Sequence, residues 1–571
     1  MNRTRVLRRV AALSSAVLLT LSVAVPVATA KPPDDGPAAD KAQTTKVQIL
    51  SLNDFHGQLR PPDGVNSSGG RIGPIHAGGA EYLASYLRQL EATNPNTLFV
   101  SAGDLIGATP LISAIFHDEP SIEAMNLMGL DYNGVGNHEF DEGAAELTRM
   151  QEGGCHPVEG CFGGDGFAGA DFDFLAANVT YKATGETIFP PYAIHEFPGV
   201  DIAVVGMTLE GTPSIVTAAA TADIDFHDEA DSVNALVPVL KEQGIETIIV
   251  LLHEGGSAPS ITEASINACN GVGGTAITDV MTRLNPEIDL VVTGHTNWAV
   301  NCADFAGTGI MMTGAASVGR LITDTDLVIS RATKEIVSAT INNVIVRRDV
   351  LPAAPDITAL IDKYGTIAAP TENRVIGNAP SALLRDNNSF GESSLGDIIA
   401  DAQLWATSGA SWPTTPPQGP AAQLAFMNAG GIRAIINAGE ITYGEAFSVQ
   451  PFANVLVTMN MTGAQIDRVL EQQFTGGNGI LQISATLNWQ RSTVAGDRAQ
   501  NITIGGAPLD PAATYRVTLN NFLADGGDNF TVFREGTNRY VGEIDLDAFA
   551  RYIQMLGTVN PGPQNRISAA P

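Results

Sequence analysis

The sequence predicts an α/β protein made of two large domains. Short apolar runs alternate with helical stretches from Val47 to about Val346, the pattern of strands and helices in turn. The 571 residues exceed what a single core usually supports. A stretch bearing Pro352, Pro355 and Pro370 then separates this region from a second one that resumes the alternation near Val375.

The elements follow in order. Arg3, Arg5, Arg8 and Arg9 precede an apolar stretch from Val10 to Val27, and Ala28-Thr29-Ala30 offers a small-residue cleavage site. Residues 1–30 therefore read as a signal peptide. The Arg8-Arg9 pair leaves both the general and the twin-arginine export routes open. Residues 31–44 are rich in Pro, Asp and Ala and read as disordered. No later apolar stretch is long enough to span a bilayer, so no membrane anchor is expected. The mature chain is expected to be secreted, periplasmic or associated with the cell envelope.

Residues 45–347 form the first expected domain. Its buried strands are read at Val47–Leu52, Leu98–Val100, Val135, Ile248–Leu252 and Ile288–Val292, and its helices at Glu81–Glu91 and Val233–Glu242. Residues 348–372 read as a linker with a helix over Ile357–Tyr364. The second domain, 373–560, holds a helix at Ser394–Ala406 and a Pro/Gly-rich loop at Ser408–Gln423. Its strands are read at Leu424–Met427, Val455–Met459 and Tyr515–Leu519.

The formal charge is −30, and loss of the four leader arginines lowers it to −34. Such a surface repels polyanions, so neither nucleic acid nor an anionic membrane is an expected partner. A small anionic substrate fits where metals and local arginines supply positive charge. Four cysteines lie after the leader. An even count in an exported chain points to disulfides: Cys155 and Cys161 bracket a short loop, and Cys269 with Cys302 closes a longer one. No CxxC spacing occurs that would suggest a zinc site.

Five segments put metal-ligand side chains just after an apolar run. They contribute Asp54 and His56, Asp104, Asn137, His253, and His295 with Asn297. Asp54 and His56 are two apart, so on an extended strand end both point to one side. Carboxylate, imidazole and amide donors together suit divalent cations rather than one structural zinc. They make two overlapping ligand sets sharing Asp104. Two cations about 3.5–4 Å apart can activate water and polarise a phosphoryl group. His138 adjoins Asn137 and is free for another role; Asp141, three residues on, can orient its ring and favour its protonated form. His76, His117, His156, His195 and His227 lie in no ligand constellation and read as surface or structural residues.

The segments Asn53-Asp54-Phe55-His56, Gly103-Asp104, Gly136-Asn137-His138-Glu139-Phe140-Asp141, His253-Glu254-Gly255-Gly256 and Gly294-His295-Thr296-Asn297 resemble those of the calcineurin-like metallophosphoesterases. With the downstream region, the chain from about Val47 to Leu556 resembles the secreted 5′-nucleotidase family, which includes periplasmic nucleotidase/UDP-sugar hydrolases. The resemblance implies a four-layer α/β/β/α metallophosphatase sandwich, a linking helix and a smaller α/β C-terminal substrate-binding domain. It implies two divalent cations such as zinc, manganese or magnesium. Asp54, His56, Asp104 and Asn297 would hold one, and Asp104, Asn137, His253 and His295 the other. His138 and Asp141 match the catalytic dyad.

In the second domain, Asn428-Ala429-Gly430-Gly431-Ile432-Arg433 resembles the family's nucleotide-binding segment. Glycines let backbone approach a ligand, and Arg433 presents a fork of donors. Pro451-Phe452-Ala453-Asn454 and the run from Asn521 through Phe522 to Asp528 place one aromatic each where the family sandwiches the base. Asp528 matches the acid that contacts the ribose hydroxyls. Asn297 departs from the His or Gln of many relatives, and the arginine nearest upstream of Glu392-Ser393-Ser394-Leu395-Gly396 is Arg385. The expected activity is removal of phosphate from nucleotides. A 2′,3′-cyclic phosphodiesterase, a UDP-sugar or nucleotide pyrophosphatase, and an inactive surface binding protein are the alternatives. Oligomeric state is left open.

Overall fold

A computed structural model describes residues 43–62, 70–162, 166–408, 421–476 and 479–570. The expected signal peptide, the Pro/Asp/Ala-rich segment up to residue 42, and residues 409–420 of the expected loop lie outside the described residues.

The main elements of the first half are β1 (Thr44–Leu52), α1 (Ala80–Glu91), β2 (Thr97–Ser101), β3 (Tyr132–Gly134), β4 (Asp173–Leu175), β5 (Tyr192–Phe197), β6 (Val200–Met207), α2 (Glu229–Glu242), β7 (Thr247–Leu252), α3 (Thr275–Arg283), β8 (Leu290–Thr293), β9 (Ala299–Cys302), β10 (Met311–Ala315), β11 (Leu321–Ser330) and β12 (Ile336–Ile345). They form two six-stranded sheets, ordered β12-β11-β1-β2-β3-β4 and β9-β10-β8-β7-β6-β5. Each strand run read in the sequence lies in or beside one of these strands. β1 starts at Thr44, inside the segment read as disordered. Val135 falls just past β3, and β8 begins two residues after Ile288.

Strand alternation produces the layers. In β1, Val47 and Ile49 enter a core shared with Ile249 and Leu251 of β7 and Val292 of β8, so the sheets pack face to face. Leu50 and Leu52 point the other way, into a core with Leu83 and Leu87 of α1. On the far side, Ile248, Val250 and Leu252 meet Val233 and Val237 of α2 and Ile277 of α3. Helix, sheet, sheet and helix follow one another, as expected. Both faces of β1 and β7 are buried, which is why β7 reads as a nearly unbroken apolar run, while β1 also buries Gln48 and Ser51. Full burial of each apolar side chain stabilises by roughly 1.5–3 kcal/mol.

Helix α4 (Pro355–Glu372) leads to the second half. Pro355 sits in its first turn, where a missing N–H costs nothing. The helix is longer than the sequence suggested and runs through Pro370 before ending. Beyond it lie α5 (Ser394–Thr407), β13 (Leu424–Met427), β14 (Val455–Thr462), β15 (Gln482–Ile483), β16 (Thr514–Asn520), β17 (Thr537–Ile544) and α6 (Asp545–Leu556). Helix α5 starts where Ser393 Oγ accepts the Gly396 N–H at 2.9 Å. The strands form a sheet ordered β15-β13-β16-β14-β17. β13 and β16 are parallel and β14 runs antiparallel to β16. The ends of β13 and β16 and the start of β14 therefore share one edge. This brings Asn428–Gly431, Phe522–Asp528 and Phe452–Asn454 together.

Candidate metal centre and substrate cleft

β1, β2 and β3 are parallel, as are β6, β7, β8 and β10. Side chains of ligand type follow the ends of β1, β2, β3, β7 and β8, at the edge where open α/β sheets bind ligands. Five of these residues hold left-handed backbone: φ is 49° at Asp54, 47° at His56, 53° at Asp104, 67° at His295 and 61° at Asn297. The chain leaves each strand by a sharp turn that aims the side chain back over the sheet edge. Asn53 braces the first turn, donating to Asp54 Oδ2 and to the Ala316 carbonyl, both at 2.5 Å, and accepting the Ala315 N–H at 2.7 Å. Glu139 braces the next two. Its carboxylate accepts the N–H groups of Asp104 at 2.9 Å, Leu105 at 2.8 Å and Gly136 at 2.8 Å. Neither bracing role was read from the sequence; Glu139 stands in a quoted motif with Gly136, but its partners Asp104 and Leu105 lie at another strand end.

The imidazoles are pre-set as ligands. His56 Nδ1 lies 2.9 Å from the Gly107 carbonyl and His253 Nδ1 lies 2.7 Å from the Ala102 carbonyl. A carbonyl accepts only, so both Nδ1 atoms carry the proton and both Nε2 lone pairs turn inward, the usual outer support of a metal-bound histidine. His56 Nε2 then faces Asp104 Oδ2 at 3.8 Å and Asp54 Oδ1 at 4.0 Å. Both His56 Nε2 and Asp54 Oδ1 are buried without a hydrogen-bond partner. Buried acceptors gathered around a common point call for a cation. Asp54, His56 and Asp104 offer atoms within 4.8 Å of one another, and so do Asp104, His253 and His295. Asn137 Oδ1 joins the second group, 3.0 Å from His253 Nε2 and 3.0 Å from His295 Nδ1. Burial pushes His56 and His295 down to about 3, which keeps both rings neutral. Burial, and then the nearby Asp104 carboxylate, raise Asp54 to about 7 against the pull of His253. This cluster fits two divalent cations sharing Asp104. Asn297 is held differently: its amide donates to the His295 carbonyl at 3.0 Å. Among the described residues no hydrogen bond ties it to Asp54, His56 or Asp104.

His138 lies above this cluster. Its Nδ1 is 2.9 Å from Asp141 Oδ2, and its backbone N–H donates to Asp104 Oδ1 at 2.9 Å. Burial opposes protonation of this ring, but Asp141 and Asp104 carry it above the ordinary value. The Phe452 ring stacks on it, with centroids 5.5 Å apart and planes within 15°. The Arg433 guanidinium sits 5.7 Å over the other ring of that stack, Phe452. Burial lowers Arg433, and the carboxylates of Asp104, Asp141 and Asp54 oppose this. Arg385 donates to the Arg433 carbonyl at 2.5 Å, so it supports the arginine segment.

A cleft of about 160 Å³ opens here. It joins Asn137, His138, Asp141 and His295 to Asn428, Gly430, Gly431, Arg433, Phe452, Asn454, Phe522 and Asp528. Every substrate-binding residue predicted for the second half thus lines the cleft that holds the dyad. Asn428 bridges two neighbours, donating to Asp528 Oδ2 at 2.9 Å and accepting from Asn520 at 3.1 Å. A Cβ on Gly431 would come within 2.5 Å of Met427 Cε and 2.8 Å of Asn428 Oδ1, which explains the glycine. Asn454 Oδ1 is buried and unpartnered. Ile215, Val216 and Thr217 also line the cleft and were missed by the sequence reading, since nothing in an Ile-Val-Thr run signals a ligand.

His117 and His156, read as surface or structural residues, pack together beside Glu142. Their rings stack 3.9 Å apart at 12°, and His117 Nδ1 lies 2.6 Å from Glu142. Parallel rings send their lone pairs side by side rather than to one point, and His156 Nδ1 already accepts the Glu159 N–H at 3.1 Å. The arrangement shares a proton with Glu142. The Cys155–Cys161 and Cys269–Cys302 pairs are both formed, and the first holds the hairpin that brings His156 to His117.

A four-layer scaffold with this two-cation cluster defines a metal-dependent phosphoester hydrolase. Comparison with known proteins gives the family. The model for calcineurin-like phosphoesterases matches residues 47–298, and that for the 5′-nucleotidase C-terminal domain matches residues 369–535. The cell wall protein Lmo0130 of Listeria monocytogenes is 31% identical over 554 residues, covering 90% of this chain and 67% of the relative. A 5′-nucleotidase of Vibrio cholerae is 27% identical over 555 residues, covering 90% of this chain and 91% of the relative. The endonuclease YhcR of Bacillus subtilis is 32% identical over 512 residues and 89% of this chain, which spans only 39% of that relative's length. Among solved structures, the 5′-nucleotidase precursor of Thermus thermophilus superposes with a TM-score of 0.73 at 25% identity, over 92% of this chain and 99% of that one. The chain belongs to the calcineurin-like phosphoesterases that carry a 5′-nucleotidase C-terminal domain.

Proposed function

We propose that this chain is an exported 5′-nucleotidase that hydrolyses the phosphate ester of small nucleotides at its two-cation cluster. The observation that carries the reading is the shared cleft. The cluster and the His138–Asp141 pair form one wall, and an arginine, two aromatic rings and an Asn–Asp pair from the second half form the rest. These are partners for a phosphate, a base and a ribose in one cavity. The unpartnered Asn454 Oδ1 adds an acceptor for a base N–H. The domain limits 45–347, 348–372 and 373–560 belong to the proposal, as do the individual residue roles. Export is supported by the leader-like N-terminus and by two formed disulfides. Among the described residues no helix is long and apolar enough to cross a membrane.

Asp54, His56, Asp104, Asn137, His253 and His295 would hold the cations, with Asn297 as a further oxygen donor. When bound, the two cations supply positive charge against the phosphoryl oxygens and lower the pKa of the attacking water. The chain's own residues do the rest. Asp141 fixes His138 with its proton-bearing Nε2 toward the cleft, where an imidazolium stabilises charge on a phosphoryl oxygen or on the departing 5′-oxygen. Arg433 adds a second positive charge in a cleft that would otherwise be acidic. Asn428 orients Asp528 for the ribose hydroxyls. Phe452 and Phe522 offer flat apolar surface to the base. The test is phosphate release from AMP by metal-reconstituted protein, with and without chelator, beside cyclic nucleotides and UDP-glucose. Chelator-sensitive release from AMP above the other substrates is expected; preference for a cyclic or sugar nucleotide would overturn the assignment.

A further inference from the structure

β6 runs parallel to β7, with Met207 beside Leu252, so it ends at the same edge as the ligand-bearing strands. The segment after it places no predicted ligand in the cleft. Ile215, Val216 and Thr217 line the cleft instead, with Asn428, Phe522 and Asp528. Just before them, the turn Thr212–Ser214 packs against the turn Gly527–Asn529 of the second half. A strand end that could have carried metal chemistry carries aliphatic surface.

The segment is held in place along its length. Asn178 grips its first residue twice, donating to the Thr208 carbonyl at 2.6 Å and accepting the Thr208 N–H at 2.8 Å. Glu229 accepts the Glu210 N–H at 2.7 Å. Thr212 Oγ1 donates to the Leu209 carbonyl at 2.7 Å, and the Thr212 carbonyl accepts the N–H groups of Ile215 at 3.0 Å and Val216 at 3.1 Å. Val216 is 5% exposed, while Ile215 and Thr217 are half-buried.

The polar parts of a nucleotide already have partners in this cleft. Two aliphatic side chains beside them gain only by covering apolar surface. In a nucleotide the large flat apolar part is the base. We propose that Ile215, Val216 and Thr217 form a rigid wall against the base and make the site sensitive to its ring size, so that a nucleoside is read by both halves of the chain. The proposal rests on the nucleotide reading above. A fixed wall discriminates by excluding a ring too large for the gap as well as by contact with one that fits.

The experiment measures adenosine and cytidine affinity by calorimetry on the full, metal-reconstituted chain; neither nucleoside has a phosphate to lose. Ile215→Ala and Val216→Ala should weaken adenosine binding about 10-fold, the low end for lost methyl contacts in an apolar pocket. Ile215→Trp narrows the gap, so adenosine should lose at least about 10-fold more affinity than cytidine. If Val216→Ala melts early, the half-buried Ile215 and Thr217→Ala carry the test. Unchanged affinities for both nucleosides in folded variants overturn the wall and leave the nucleotide reading standing. A wild-type chain that binds neither nucleoside, yet releases phosphate from a simple alkyl ester, overturns both.

Discussion

His138 and Phe452 lie face to face, 5.5 Å between ring centroids, although one belongs to the metal-cluster half and the other to the loop before β14. The ring proposed to meet the base thus also covers the ring proposed to meet the phosphate. Phe452→Ala removes stacking of about 1–3 kcal/mol per base, so KM for AMP should rise by roughly 5- to 150-fold. Steady-state kinetics on AMP with a melting control checks this. An unchanged KM would show that the ring serves only to cover His138.

The His138–Asp141 pair makes a separate prediction. His138→Asn should keep both cations and similar substrate affinity, with kcat lower by about 10²–10⁴. Elemental analysis beside single-turnover rates separates the outcomes, because loss of metal would make this side chain a ligand.

Asp104 is the one carboxylate common to both clusters. Asp104→Asn should reduce bound metal and nearly abolish turnover, since an amide at the shared position removes the charge that both cations need. Full metal content with near-normal activity would sink the two-cation assignment.

Cys269 and Cys302 are 33 residues apart and tie the loop after His253 to β9, just past His295 and Asn297. In the chain-entropy view such a crosslink stabilises by about 3–4 kcal/mol. Cys269→Ser should therefore lower the urea midpoint. The Cys155–Cys161 link closes a far shorter loop, so Cys155→Ser should cost less.

His117 gives a pH dependence with a defined sign. The hydrogen bond to Glu142 raises its pKa above the ordinary 6.5. The folded state then holds the proton more tightly than the unfolded chain. The gain is complete below 6.5 and is lost as pH rises through the folded value. Glu142 is partly exposed, so solvent limits the effect to under about 1 kcal/mol. Urea midpoints of wild type and His117→Gln should differ most near pH 6 and converge at alkaline pH.

Asp54, Asp104, Asn137, His253 and His295 were legible because each follows an apolar run, and parallel strands deliver their ends to one edge. The cleft residues of the second half were legible only through motif resemblance; their convergence depends on the antiparallel placement of β14. Ile215 to Thr217 were not legible, since an aliphatic run after a strand looks like more core. His117 and His156 were set aside because the disulfide hairpin that joins them gives no local signal. The linker helix was read over Ile357–Tyr364 but runs to Glu372, since a proline in the last turn of an established helix loses only one hydrogen bond.

The left-handed backbone at Asp54, His56, Asp104, His295 and Asn297 bears on how this enzyme would respond to artificial evolution. Side chains bearing a Cβ carry roughly 1–2 kcal/mol of penalty in that conformation, which glycine relieves. A screen that rewards heat resistance alone would accept glycine at these positions, relieving strain at each and the burial of a carboxyl group at Asp54 and Asp104. Its most durable survivors would be inert, so any thermostability campaign on this scaffold has to select for turnover in the same round.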